Sequence, residues 1–285
     1  MLKVYLQLLR IPGVFTAVSN VLMGFMLSQT PIHSQILLIP LLISSGLLYF
    51  SGMILNDYFD YGVDKTQRPT RPLPSGKISR QSALILGIIF LSCANLAALF
   101  VGIQTILLTM IISSLILLYN IKIKSITSIG VLVLCLIRVL NVYLGFTVIG
   151  FTLNFALIPI PLAFLVASIG ILSRVETKSA SSKTVILNLI MIVLSVTSLL
   201  TILSQNDKYY YLIFLSMFIG LITYSSVKFG QKNSISIQNK ITYHLLSIIL
   251  LDATLVAAFS DMLYATIIAS LFVPAYLLAK KIYLT

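Results

Sequence analysis

Asp57, Asp60 and Asp64 stand within Asn56-Asp-Tyr-Phe-Asp-Tyr-Gly-Val-Asp64, and they are three of only seven acidic residues in a chain of 285. Spacings of three and four put their carboxylates on one helical face, where like charges repel unless a cation lies between them. Such hard oxygen donors suit Mg2+, which keeps part of its coordination shell for the oxygens of a phosphate. Arg68 and Arg71 follow at once, in Arg68-Pro-Thr-Arg-Pro-Leu-Pro-Ser-Gly76. Two guanidinium groups there can fork onto the same phosphate oxygens. The chemistry these residues point to is a metal ion paired with a diphosphate.

The elements that must position them are membrane helices. The chain is 59% hydrophobic and 9% charged, and its mean hydropathy is +1.06. Apolar stretches recur from end to end, each long enough to cross the hydrocarbon core of a bilayer. The pattern predicts spans at 13–29, 35–55, 82–101, 103–119, 126–149, 155–173, 184–204, 209–227, 241–259 and 262–279. The fold class is therefore all-α, a polytopic transmembrane bundle of nine to ten spans forming one integral-membrane domain over residues 1–285.

A net charge of +12 would suggest nucleic acid in a soluble protein. Here its placement gives a better account, and no nucleic-acid partner is expected. With the N-terminus inside, Lys3, Arg10, Lys65, Arg68, Arg71, Lys77, Arg80, Lys122, Lys124, Arg174, Lys178, Lys183, Lys228, Lys232, Lys240, Lys280 and Lys281 all fall on the cytoplasmic side. Only Lys208 falls outside, and Arg138 lies within a span. So lopsided a distribution fits the positive-inside rule, and it favours ten spans, because nine would strand Lys280 and Lys281 outside. Acidic residues at 57–64 are then the exception on a basic face. A plain solvated helix end leaves that exception unexplained.

Outer connections are short, whereas the inner ones at 56–81, 120–126, 174–183 and 228–240 are longer and polar, the first three being the functional loops. Function is expected on that cytoplasmic face. Three prolines and Gly76 end the second span's extension and turn the two arginines back toward it, and Ser79 reads as the cap of the third span. Glu176, the only glutamate, lies among Arg174, Lys178 and Lys183; it reads either as a second metal ligand or as part of an ordinary loop. Ionisable groups inside a membrane are functional suspects. Arg138, with Asn141 nearly a turn on, faces either a cavity or a carboxylate, and Asp252 is a candidate for that partner or for an acceptor-side group.

The stretch Asn56-Asp57-x-x-Asp60-x-x-x-Asp64, followed by Arg68-Pro69 and Arg71-Pro-Leu-Pro-Ser-Gly76, resembles the first Asp-rich motif of the UbiA superfamily of membrane prenyltransferases. Arg10-x-Pro12 resembles the family's opening as well. Tyr119-Asn-x-x-x-Lys124, Arg138-Val-Leu-Asn141 and Ser173-Arg174-x-Glu176 resemble the EboC-like branch, found in bacterial secondary-metabolite clusters. The resemblance implies helices around a central, lipid-accessible cavity in a bacterial cytoplasmic membrane, with the active site facing the cytoplasm. It implies Mg2+ on Asp57, Asp60 and Asp64 with help from Asn56 and Glu176, and a polyprenyl diphosphate bound by Arg68, Arg71, Lys124, Arg174, Lys178 and Lys183. Transfer of the prenyl group to a small-molecule acceptor, aromatic or a glycerol phosphate, would follow, with Arg138 and Asn141 among the catalytic residues. The family's second motif usually has two aspartates four residues apart, but Glu176 has Leu172 and Ala180 at those offsets. Either basic residues replace a second metal, or the protein binds or exports a prenyl lipid without turning it over; the first is the expectation.

Overall fold

The structure, a computed structural model, describes residues 2–149, 155–176, 181–204, 206, 209–229 and 234–282. Among these residues helices are the only regular elements. They are α1 (Leu2–Leu8), α2 (Val14–Leu27), α3 (Leu38–Phe59), α4 (Tyr61–Gln67), α5 (Arg80–Leu99), α6 (Ile103–Ile121), α7 (Thr127–Phe146), α8 (Ile160–Ser173), α9 (Ser182–Leu203), α10 (Tyr211–Lys228), α11 (Ser234–Phe259), α12 (Met262–Ser270) and α13 (Phe272–Ala279).

Eight helical segments are long and apolar enough to cross a membrane, and a ninth arises if the bent N-terminal pair is one span. The expected spans depart from this picture where proline intervenes. Pro12 and a left-handed Arg10 (φ 46°) separate α1 from α2, and the pair bends by 49°. Pro159 and Pro161 delay α8 to Ile160, so it is only 14 residues long. The last span breaks between α12 and α13, where Pro274 offers no N–H to the Ser270 carbonyl. In the other direction, α3 runs on to Phe59 and α11 begins at Ser234, well before the expected 241.

Lipid-facing helices carry apolar side chains outward, but α11 is enclosed, with Leu246, Ile249, Ala253, Val256 and Ala257 all buried. Ala253, Ala257 and Ala258 let neighbouring backbones come close, the usual packing device where lipid removes the hydrophobic drive. Gly24 on α2 and Gly145 on α7 serve the same end, since a Cβ on either would strike the facing backbone. Ser79 caps α5 as expected, its Oγ accepting the Ser82 amide at 3.0 Å.

Candidate diphosphate site

The site forms where α3 runs into α4. The helix kinks at Asp60 and resumes, so Asp57 and Asp64 stay on one side and are both nearly fully buried. The Pro-rich turn after Arg68 returns Arg71 over them. Its Nη1 donates to Asp64 Oδ2 at 2.8 Å and reaches Asp57 Oδ1 at 3.4 Å. Arg10, held at the α1–α2 break, donates to the same Asp57 oxygen at 2.9 Å. Arg68 spans Asp64 (3.4 Å) and Glu176 Oε2 (2.9 Å). Asp60, partly exposed, pairs with Lys124.

The three inner connections singled out above therefore meet. Arg68 ties 56–81 to 174–183 through Glu176, Lys124 ties 120–126 to Asp60, and Arg174 Nη1 donates to the Lys124 carbonyl. Gly130 makes room for this last contact, because a Cβ there would collide with the Arg174 guanidinium. Lys183 is exposed in the first turn of α9 and makes no ion pair among the described residues. Lys178 lies outside the described residues. Asn56 sits partly buried beside Asp57, its carbonyl accepting the Asp60 amide at 2.9 Å.

Deeper in the bundle, Asn141 is buried between helices: it donates to the Ala17 carbonyl at 2.8 Å and accepts from Ser45 at 2.9 Å. Arg138 donates to Asn20 at 3.3 Å and Thr16 at 3.1 Å. Asp252 is not in direct contact with it and accepts instead from Ser19 and Asn20.

Four residues at the site carried no role in the sequence reading. Gln238, on the first turns of α11, donates to Glu176 Oε1 at 3.1 Å. A neutral amide in a polar helix start has no signature, and only the central placement of α11 brings it here. Gln7 and Lys77 line the same cavity, which has a volume of about 460 Å³. Arg10 had one signal, a lone arginine before Pro12 at the start of the first span.

That cavity is bordered by Arg10, Arg68, Arg71 and Lys77 against a single carboxylate, Asp57. Burial, then the neighbouring Arg10, pull the Arg71 guanidinium below its ordinary value, while Asp57 and Asp64 oppose them. A cation crowded by cations favours a bound anion. Among the described residues no three acidic or His/Cys side chains form a ready metal cage. Basic groups occupy the intervals between carboxylates. The donor set nevertheless fits Mg2+, since it consists of hard carboxylate oxygens, three of them on buried residues, whose present partners are flexible side chains able to shift to an anion.

Fold and site together define a class: multi-pass helical membrane proteins that gather acidic and basic side chains at one end of the bundle. The chain belongs to the UbiA prenyltransferase family, whose pattern it matches over residues 17–224. The digeranylgeranylglyceryl phosphate synthase of Sulfolobus acidocaldarius is 29% identical over 157 residues, 55% of this chain and 57% of that protein. The enzyme of the same name from Saccharolobus solfataricus is 37% identical over 112 residues, 36% and 39% of the two chains. The chain thus spans about half the length, or less, of the curated relatives it matches. A UbiA homologue from Archaeoglobus fulgidus, solved bound to GPP and Mg2+, superposes with a TM-score of 0.68 at 17% identity, covering 94% of this chain and 99% of that one. A solved digeranylgeranylglyceryl phosphate synthase superposes with a TM-score of 0.62 at 21% identity, covering 90% and 98%.

Proposed function

We propose that the protein transfers a prenyl group from a polyprenyl diphosphate to an acceptor within the membrane, with Mg2+ as cofactor. The observation that carries this reading is the basic cavity laid directly on buried Asp57, with Arg71 joining it to buried Asp64. Asp57 and Asp64, with Asp60, Glu176 and the Asn56 side chain, are the groups that would hold the metal. When bound, Mg2+ neutralises diphosphate oxygens and makes diphosphate a better leaving group. Arg10, Arg68, Arg71 and Lys77 then bind the remaining phosphate oxygens and stabilise the charge that grows as the carbon–oxygen bond breaks. Lys124 and Arg174 close the site from the α6–α7 side. Asn141 holds α2, α3 and α7 in register beneath it.

For the acceptor, a glycerol phosphate carrying one ether-linked chain is the first choice. The names of the relatives describe a glyceryl phosphate bearing two geranylgeranyl chains, so prenylation of such a headgroup is their shared theme. An aromatic acceptor, in the secondary-metabolite setting of the EboC-like branch, is the alternative. The basic excess of the inner loops supports a site that faces the cytoplasm. Lone Glu176 in the second motif favours a second reading, in which the protein binds prenyl diphosphate without turnover.

The test is pyrophosphate release by the purified protein, with geranyl, farnesyl and geranylgeranyl diphosphates, Mg2+, and either geranylgeranylglyceryl phosphate or 4-hydroxybenzoate. Release that is abolished by Asp57→Asn and Asp64→Asn is expected. Tight donor uptake with no release under any pairing would replace transfer with binding alone, and no uptake at all would overturn both.

A further inference from the structure

Asp252 lies well inside α11, fully buried, at a depth where a lone charge is costly. Its Oδ2 accepts from Ser19 Oγ at 2.6 Å and from Asn20 Nδ2 at 2.8 Å, while Oδ1 has no partner among the described residues. Asn20, itself fully buried, turns its other end to Arg138, whose Nη1 donates to Asn20 Oδ1 at 3.3 Å. One amide thus points its N–H at the anion and its carbonyl at the cation. That orientation is the only one in which both hydrogen bonds can form. Arg138 also donates to Thr16, one turn earlier on α2, so α2 grips one edge of the guanidinium from Thr16 to Asn20.

Beyond those two hydrogen bonds the guanidinium has no hydrogen-bond partner among the described residues. Arg138 is only partly buried, and its residual exposure is not toward lipid. Ile129, Leu132 and Leu136 mark the lipid face of α7, and at 100° per residue Arg138 lies roughly opposite them. It therefore opens on the interior. Tyr49 fixes how deep: its hydroxyl donates to the Arg10 carbonyl at 3.2 Å, and its ring faces the Arg138 guanidinium at 5.9 Å. Arg10 in turn holds Asp57. The free edge of Arg138 sits one aromatic ring below the diphosphate site.

We propose that Arg138 anchors the anionic oxygen group of the acceptor, a phosphate or a carboxylate, and that Asp252 is its positioning residue, acting through Asn20. This rests on the prenyl-transfer reading for its substrate. Asp252 supplies the counter-charge that lets a guanidinium remain charged and correctly turned in the membrane interior. Asn20 delivers that charge, with Ser19 holding the carboxylate, and no direct ion pair consumes the donors the acceptor needs.

Asp252→Asn keeps the side chain's size and removes its charge. The acceptor KM is expected to rise about tenfold or more, the scale of one charge-assisted contact, with geranylgeranylglyceryl phosphate or with 4-hydroxybenzoate, whichever is prenylated. Calorimetric affinity for geranylgeranyl diphosphate with Mg2+ is expected to stay within about twofold, the scatter of a remote site. A second measurement does not depend on activity: detergent melting of Asp252→Asn, Arg138→Gln and the double variant. Coupled charges predict a double variant that loses clearly less than the sum of the two single losses. Additive losses would overturn the proposal, as would weakened donor binding with an unchanged acceptor KM. Absence of pyrophosphate release from the wild-type protein would sink the transfer reading instead, and the melting comparison would still decide the Asp252–Arg138 link.

Discussion

Replacing Arg71 with alanine is expected to move the affinities for the site's two ligands in opposite directions. Arg71 Nη1 is shared between Asp64 at 2.8 Å and Asp57 at 3.4 Å, and the side chain is only 13% exposed. Losing one charge-assisted hydrogen bond to a diphosphate oxygen costs about 1.5–3 kcal/mol. That weakens donor binding by about 10- to 150-fold. The effect on the metal alone has the other sign. Asp57 keeps Arg10, but Asp64 is left with Arg68 at 3.4 Å, so the cluster gains one net negative charge. One such charge about 5 Å from a divalent ion is worth about 1–2 kcal/mol even in a water-like dielectric, hence about tenfold tighter Mg2+ binding. Calorimetry on the detergent-solubilised protein resolves both quantities, titrating Mg2+ without diphosphate and then geranylgeranyl diphosphate at saturating Mg2+. The reasoning fails if both affinities fall together, or if donor affinity moves by less than about threefold.

Glu176→Gln preserves volume but removes the charge opposite Arg68, so the Mg2+ concentration for half-maximal pyrophosphate release should rise about tenfold or more; an unchanged Mg2+ requirement would take Glu176 out of the metal site. Gly130→Ala forces the Arg174 guanidinium off the Lys124 carbonyl, and pyrophosphate release should slow while the melting temperature holds. Gly145→Ala puts a methyl group into the Val21 carbonyl and the Phe25 amide across the α2–α7 contact. Overpacking of this kind costs about 1–3 kcal/mol, to be read as a lower melting temperature in detergent.

The parts of the site that could be read from the sequence are those where residue type conflicts with its surroundings. Aspartates on a basic face, with arginines locked between prolines, declare themselves because the positive-inside tendency and helix continuation both argue against them. Glu176 was conspicuous for the same reason, yet its distance from Asp64 along the chain said nothing of Arg68 bridging them. That contact depends on how α8 packs against α7 and α11, which hydropathy does not encode. Gln238 was hidden further, since residues 234–240 read as part of the 228–240 loop: their polarity suppresses an apolar period, although Gln238 there faces the site. The break at Arg10 belongs to the same class, a backbone strained into the left-handed region (φ 46°) whose only advance notice was the proline two residues on.

The ion pairs also bear on turnover. Asp57, Asp60, Asp64 and Glu176 each hold a basic partner drawn from Arg10, Arg68, Arg71 and Lys124. Carboxylates and basic groups alternate, so every carboxylate is already paired before any ligand arrives. A diphosphate entering alone would take arginines from the carboxylates and leave those buried and unpaired, which is costly. A metal entering alone would displace the arginines into each other's field. Arriving together, metal and diphosphate exchange one complete set of pairs for another, so each must favour the other's binding by the same factor. On the proposed reading the exchange would run backward equally well: with Mg2+ and inorganic diphosphate gone, the carboxylates would regain their arginines and no charge would be stranded. A site meant only to retain a prenyl lipid has no use for so good an alternative partner for every ligand-binding group, so the built-in competitor sides with the proposed transfer over binding alone.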